Sequence, residues 1–368
     1  MRIGVPTEIK NNEFRVGVTP SAAREYVEAG HEVLVQSGAG LGIGASDDAY
    51  LGAGARIIAG AAEIFDTADM IVKVKEPQLN ECAMLSAGQI LFTYLHLAAD
   101  RPQAEALVES GCSAIAYETV TDADGGLPLL APMSEVAGRL SILAAAHCLT
   151  RLAGGRGLLI GGVPGVAPAR VVIIGGGVVG THAAKMAVGL GAGVTILDRS
   201  LERLRELDDL FGGRVRLLYS TPHSIDDEIR RADAVIGAVL LPGAAAPKLV
   251  ARAMLGEMPE AAVLVDVAID QGGCFETSKP TTHEAPTYVV DGIVHYCVAN
   301  MPGAVPRTSA HALNNATLPF GLRLAANGLG ALRGDPHLTR GLNVHGGAIT
   351  NAAVAESLGM TCVPYGER

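Results

Sequence analysis

The sequence contains no tryptophan, and aromatic residues fill only 4% of its 368 positions. Its cores must therefore be built from aliphatic side chains, and hydrophobic residues reach 49%. Charge is sparse too, at 18%, a balance that belongs to globular rather than disordered chains. A formal net charge of −10 argues against nucleic acid or an anionic membrane surface, so neither is expected as a partner. The six cysteines, at 82, 112, 148, 274, 297 and 362, form no C-x-x-C pair, which argues against a zinc ribbon or a thioredoxin-type motif. The ten histidines are scattered without metal-ligand spacing, so no metal is expected. "MRIGVPTEIK" lacks the apolar centre of a signal peptide. The most apolar run, "AVIGAVLLPGAAAP", is too short to span a bilayer and is broken by Gly and Pro. A reduced, cytoplasmic setting is the expectation.

What the chain has in abundance is glycine, 46 residues, set among short β-branched runs and alanine-rich segments. "RIGVP", "HEVLVQ", "MIVKVK", "QILFTYL" and "SAIAYE" read as strands separated by helices, the first capped by Thr19 and Pro20 and closed by Gly30. A long helical stretch, "SEVAGRLSILAAAHCLTRL", precedes a second alternating series from "RVVIIG" to "IVHYCVA". A further long helix, "TSAHALNNATLPFGLRLAANGL", leads to a tail expected to be mostly helical and to pack on the first domain. The fold class is therefore α/β, with two Rossmann-like domains of parallel strands joined by long helices. The expected division is a discontinuous substrate domain, 1–128 and 307–368, and a nucleotide-binding domain, 129–306.

Two glycine loops compete for a nucleotide. Gly175-Gly176-Gly177-Val178-Val179-Gly180 is a full G-x-G-x-x-G between the strand "RVVII" and a helix, and Asp198 closes the next strand, "GVTILD". Those glycines permit a tight turn and close approach to a pyrophosphate, while the helix start offers unpaired N–H groups. A carboxylate at Asp198 accepts from ribose hydroxyls and repels a 2′-phosphate, which favours NAD over NADP. The loop "GAGLGIGA" at 38–45 has no such acid after its next strand, and reads as a flexible connection.

Ionisable residues recur where strands end, the level at which open α/β sheets bind ligands. Arg15 lies after the first strand. Lys73 and Lys75 share one face of "MIVKVK", His96 follows "ILFTYL", and Asp270 follows "AAVLVDVAI". Singly, each has a structural explanation: solvated surface for the cations, a hydrogen-bonded core histidine, a turn aspartate. Jointly, two cations, a histidine and a carboxylate suit a small carboxylate substrate facing a nicotinamide.

These stretches, with "GVPTEIKNNEFRVGVTP", "IVKVKEPQ", "MSEVAGRL", "VDVAIDQGGCFETSKPTTH" and "YCVANMPGAVPRTSAHALNNATLPF", resemble the bacterial L-alanine dehydrogenases nearly end to end. That family is related to the NAD-binding domain of nicotinamide nucleotide transhydrogenase. The resemblance implies reversible NAD-dependent deamination of L-alanine to pyruvate and ammonium. It places Arg15 and Lys75 on the substrate, and His96 and Asp270 in catalysis. It assigns cofactor contacts to Ser134, Gly175, Gly177, Val178, Val179, Gly180, Asp198, Arg203, Ser220, Asn300 and Met301. It also implies a cytoplasmic homohexamer. Ala245, where the family often has lysine, and His311, where tyrosine is common, depart from the pattern. The alternatives are an NAD(H)-binding transhydrogenase subunit, which the intact ionisable set disfavours, and a non-catalytic NAD-binding protein. Glycine in place of alanine remains open as substrate.

Overall fold

The computed structural model describes residues 1–239 and 246–366. Its strands, in chain order, are β1 Arg2–Val5, β2 Glu32–Gln36, β3 Arg56–Ile58, β4 Met70–Val72, β5 Ile90–Thr93, β6 Ser113–Ala116, β7 Arg170–Ile174, β8 Gly193–Asp198, β9 Arg216–Tyr219, β10 Ala234–Gly237, β11 Val263–Asp266, β12 Thr287–Val290, β13 Ile293–Tyr296, β14 Leu342–His345 and β15 Ala348–Ile349. The chain forms two compact units, Met1–Met133 with Val305–Arg368, and Ser134–Ala304.

The first unit holds a sheet in the order β15-β14-β6-β5-β4-β1-β2-β3. Strands β1 to β6 run parallel, with β1 between β2 and β4. The apolar runs of β4 and β5 are buried along their whole length, as befits parallel strands covered on both faces. Leu34, Ile71, Leu91 and Ala114 meet in one cluster with Ile64, Phe65 and Leu107 of the crossover helices. Thr19 caps the helix Pro20–Glu28 by accepting from the Ala22 N–H, and Gly30 follows in the left-handed region at φ 86°.

The second unit's sheet has the order β12-β13-β11-β10-β7-β8-β9. Reading from β9 through β7 to β13 gives the doubly wound order, with its reversal between β7 and β10. Its core packs Ile173, Ile196, Ile236 and Val265 against Ala183, Ala184 and Ala187 of the helix Val178–Gly189. Small alanines let that helix lie close on the strands.

The tail departs from the mostly helical reading. β14 joins β6 antiparallel and turns back into β15, with only short helices around them, Pro336–Thr339 and Ala352–Leu358. The turn is Gly346-Gly347, both at positive φ, and the antiparallel pair β12–β13 turns likewise on Asp291-Gly292 at φ 50° and 80°. The type I′ two-residue hairpin needs left-handed backbone at both turn positions, which Gly-Gly and Asp-Gly supply.

Candidate active site

In the first sheet, too, the strand order reverses, here between β1 and β4, and ligands bind beyond the carboxyl ends at such a point. Arg15, Lys75 and His96 follow β1, β4 and β5. Arg15 is 2% exposed and grips Glu13 with a fork, Nε to Oε1 at 2.7 Å and Nη2 to Oε2 at 2.5 Å, while Nη1 reaches Met133 Sδ at 3.1 Å. Burial opposes the charge, but Glu13 outweighs it and holds the guanidinium above its ordinary value.

Sequence pattern extended the fourth strand through Lys75; it ends at Val72 because Glu8 Oε1 takes the Val74 N–H at 2.6 Å. Lys73 is wholly buried between Glu8 at 3.1 Å and Glu81 at 2.8 Å. Burial pushes the Glu8 carboxyl above its usual range despite the lowering pull of Lys73. Lys75 pairs instead with Glu76, Nζ to Oε2 at 3.3 Å. His96 occupies the left-handed region, φ 51° and ψ 35°, and its N–H donates to Glu118 Oε1 at 2.5 Å. Its ring stacks on Tyr94, 5.7 Å between centroids and 9° from parallel.

The loop at 38–45 is a packed structure, which corrects its reading as a flexible connection. Asp47 accepts from the Gly38 N–H and the Ser37 hydroxyl, and a Cβ on Gly42 would lie 2.1 Å from the Phe14 carbonyl oxygen. Its glycines thus allow it to lie on the segment that carries Arg15.

The second unit contains the remaining candidates. The Gly175 turn, at φ 104°, runs into the helix Val178–Gly189, whose first turn has no side-chain cap. A Cβ on Gly180 would meet the Gly175 carbonyl oxygen at 1.8 Å, whereas one on Gly177 would enter open space. An uncapped helix start beside an unobstructed glycine fits a pyrophosphate. Asp198 accepts from the Gly176 N–H at 2.7 Å and the Ser200 N–H at 2.8 Å. Arg203 donates to the Gly176 carbonyl and the Thr181 hydroxyl, bracing the loop, and the Ser220 N–H donates to the Asp198 carbonyl at 2.9 Å. Ser134 lies one turn before Gly138, whose Cα side abuts the Val179 carbonyl. Val178 is exposed, Val179 half-buried and Met301 buried, and Asn300 is left-handed at φ 58°.

Asp270 is exposed in the short turn Val267–Gln271. Beneath it Asp266, fully buried at the end of β11, accepts from Ala268 N and Phe275 N and from the Ser278 hydroxyl, so one carboxylate ties the turn's start to its return. Sequence reasoning missed Glu8, Glu13, Glu76, Glu81, Glu118 and Asp266. A signal was present for the first four: lysines and arginine that leave solvent need carboxylates, and these acids lie within a few residues of them in sequence or in the adjoining loops. His311 is exposed on the helix Pro306–Asn327, and Ala245 lies outside the described residues. Among the described residues no group of His, Cys, Asp or Glu is placed to hold a metal ion, and no helix is long and apolar enough to cross a membrane.

Two family domains match the chain: Alanine dehydrogenase/PNT, N-terminal domain, over residues 4–137, and Alanine dehydrogenase/PNT, C-terminal domain, over residues 141–352. The chain belongs to the alanine dehydrogenase/PNT family. Within that family it is 60% identical to the alanine dehydrogenase of Halomonas elongata, over 99% of this chain and 98% of the relative. It is 53% identical to that of Mycobacterium tuberculosis, over 100% and 98%. Among solved structures, an L-alanine dehydrogenase of 54% identity superposes with a TM-score of 0.94, covering 98% of this chain and 99% of that one. The transhydrogenase from Sinorhizobium meliloti, at 24% identity and a TM-score of 0.81 over 96% and 100%, shares the fold of the family.

Proposed function

We propose that this chain is an L-alanine dehydrogenase, which converts L-alanine, NAD+ and water reversibly into pyruvate, ammonium and NADH. The observation that carries the reading is the family's two domains matched in series, with near-complete coverage of relatives at 53–60% identity. Substrate binding is assigned to residues 1–128 and 307–368, and NAD binding to residues 129–306. Bound NAD supplies the two-electron acceptor, and the uncapped helix start, Gly177, Asp198 and Arg203 are the groups suited to hold it. Ser134, Gly175, Val178, Val179, Gly180, Ser220, Asn300 and Met301 complete the proposed contacts.

The protein's own groups manage charge and protons. Arg15 binds the substrate carboxylate through the Nη1–Nη2 edge of its guanidinium, while Glu13, gripping Nε and Nη2, fixes the plane of that group. Lys75 polarises the carbonyl oxygen in the reductive direction. Alanine must lose a proton from its ammonium before Cα can be oxidised, because the nitrogen lone pair drives that step. Water then adds to the iminium carbon, and ammonia leaves from the carbinolamine. His96 moves the proton at the attacking water and the nascent carbonyl oxygen, while Asp270 orients the nitrogen or water and stabilises the cationic iminium. Deamination consumes a neutral amine, so its rate rises toward alkaline pH.

The chain is also assigned to the cytoplasm, as a homohexamer. Leu152, Leu159, Val163 and Val166 leave more than half of their surface exposed within a short stretch of the second unit, which supports assembly with further copies. The test of the catalytic assignment is replacement of His96 or Asp270 by alanine. Each variant should lose turnover while NADH still binds; normal activity in either removes that residue from the mechanism.

A further inference from the structure

Glu76 follows Lys75 directly in sequence and is 9% exposed. Its carboxylate meets two ammonium groups: Lys10 donates to Oε1, and Lys75 Nζ lies 3.3 Å from Oε2. Oε2 is shielded from solvent and accepts no hydrogen bond among the described residues, so the Lys75 ion pair is its compensation. Burial pushes the carboxyl up, but Lys75, the Lys10 hydrogen bond and the charge of His96 outweigh it and bring it down to about 2. Glu76 is thus an anion at any working pH. The backbone of Lys75 is fixed separately, since Glu8 Oε2 lies 3.4 Å from its N–H and its carbonyl accepts from Thr93 Oγ1 at 3.0 Å. A flexible four-carbon stem separates that backbone from the ammonium.

We propose that Glu76 is a positioning residue for the reaction, a buried tether that holds the Lys75 ammonium where the substrate's carbonyl oxygen must meet it, with Lys10 bracing the tether. The inference rests on the assignment of Lys75 to the substrate. Without the carboxylate, a lysine whose side chain is 11% exposed has lost the ion pair that fixes its ammonium, and its flexible stem swings away. Pyruvate then loses its cation. The chemical steps at His96 and Asp270 stay in place, so the defect falls on substrate affinity.

The test compares Glu76→Gln, Lys10→Met and Lys75→Met in the full chain, with NADH binding by fluorescence as the measure of an intact fold. Glu76→Gln should raise KM for pyruvate about tenfold or more, the effect of one lost charged hydrogen bond, with a smaller change in kcat and unchanged NADH affinity. Lys10→Met should move KM the same way by less. Its side chain is 39% exposed, so it remains decisive should Glu76→Gln fail to bind NADH. Lys75→Met should lose pyruvate affinity in full. Loss in Lys75→Met with unchanged or tighter pyruvate binding in Glu76→Gln overturns the tether alone. Unchanged KM in Lys10→Met, where Glu76→Gln is unfolded, does the same. Unchanged affinity in Lys75→Met overturns the assignment of Lys75, and the tether with it.

Discussion

Replacing Gly42 by alanine tests whether the 38–45 loop sets the position of Arg15. The new Cβ would stand 2.1 Å from the Phe14 carbonyl oxygen, with the Phe14 carbonyl carbon at 2.9 Å, and contacts under 3.0 Å are not tolerated. The obstacle is main chain, so no rotamer change relieves it, and the two segments must part by about 0.9 Å. Arg15 is the next residue after Phe14, and its guanidinium is held in a fork that depends on direction. A misplacement of about 1 Å at a binding group can cost about a hundredfold in rate. KM for L-alanine and for pyruvate should therefore rise tenfold to about a hundredfold, with NADH affinity unchanged. Gly44→Ala is the matched control: it meets open space but sits at φ 78°, so it should cost about 1–2 kcal/mol of stability without moving either KM. Steady-state kinetics in both directions, with thermal melts of each variant, decide the matter. Unchanged substrate KM in a folded Gly42→Ala would refute the reasoning.

Asp198→Ala should relax discrimination against NADP and weaken NAD binding, because its carboxylate also holds the Gly176 N–H; an unchanged ratio of kcat/KM for the two cofactors would contradict its role. Stability should fall at alkaline pH, because burial pushes the thiols of Cys82, Cys112 and Cys148 up from 9.0 to about 12, about 11 and about 11. Above pH 9 the unfolded chain has released protons that the folded chain retains, so each thiol removes about 1.4 kcal/mol per pH unit until its folded value is passed. A Tm series from about pH 8 to 11 should show the decline and Cys82→Ala should flatten it; identical slopes would dismiss the thiols as its cause.

Much of the fold was legible because local signals agreed with the tertiary outcome. The G-x-G-x-x-G, its preceding strand and Asp198 form one continuous pattern, and β7 and β8 pair in parallel register so that the loop and the acid lie at the same end. The alternation of strands and helices likewise yields two parallel-dominated sheets. The two antiparallel hairpins carry their signal in turn chemistry instead: Gly346-Gly347 in the tail and Asp291-Gly292 in the second sheet, each at positive φ. Other features had no local signal. The end of β4 is set by Glu8, sixty-six residues earlier, and the left-handed His96 by Glu118 from the neighbouring strand's end. The glycines at 40 and 42 read as flexibility, because the backbone they accommodate, at Phe14 and Ala45, is partly remote in sequence. Long-range polar contacts of this kind are visible only once the sheet has brought strand ends together.

The reaction itself can be measured directly. The purified chain is mixed with NAD+ and L-alanine, NADH absorbance is followed, and pyruvate is quantified in the same mixture. NADH and pyruvate should form in equal amounts, faster as pH rises, and NADH should be consumed when pyruvate and ammonium are supplied instead. Absence of NADH formation with L-alanine, in a protein that binds NADH, would contradict it.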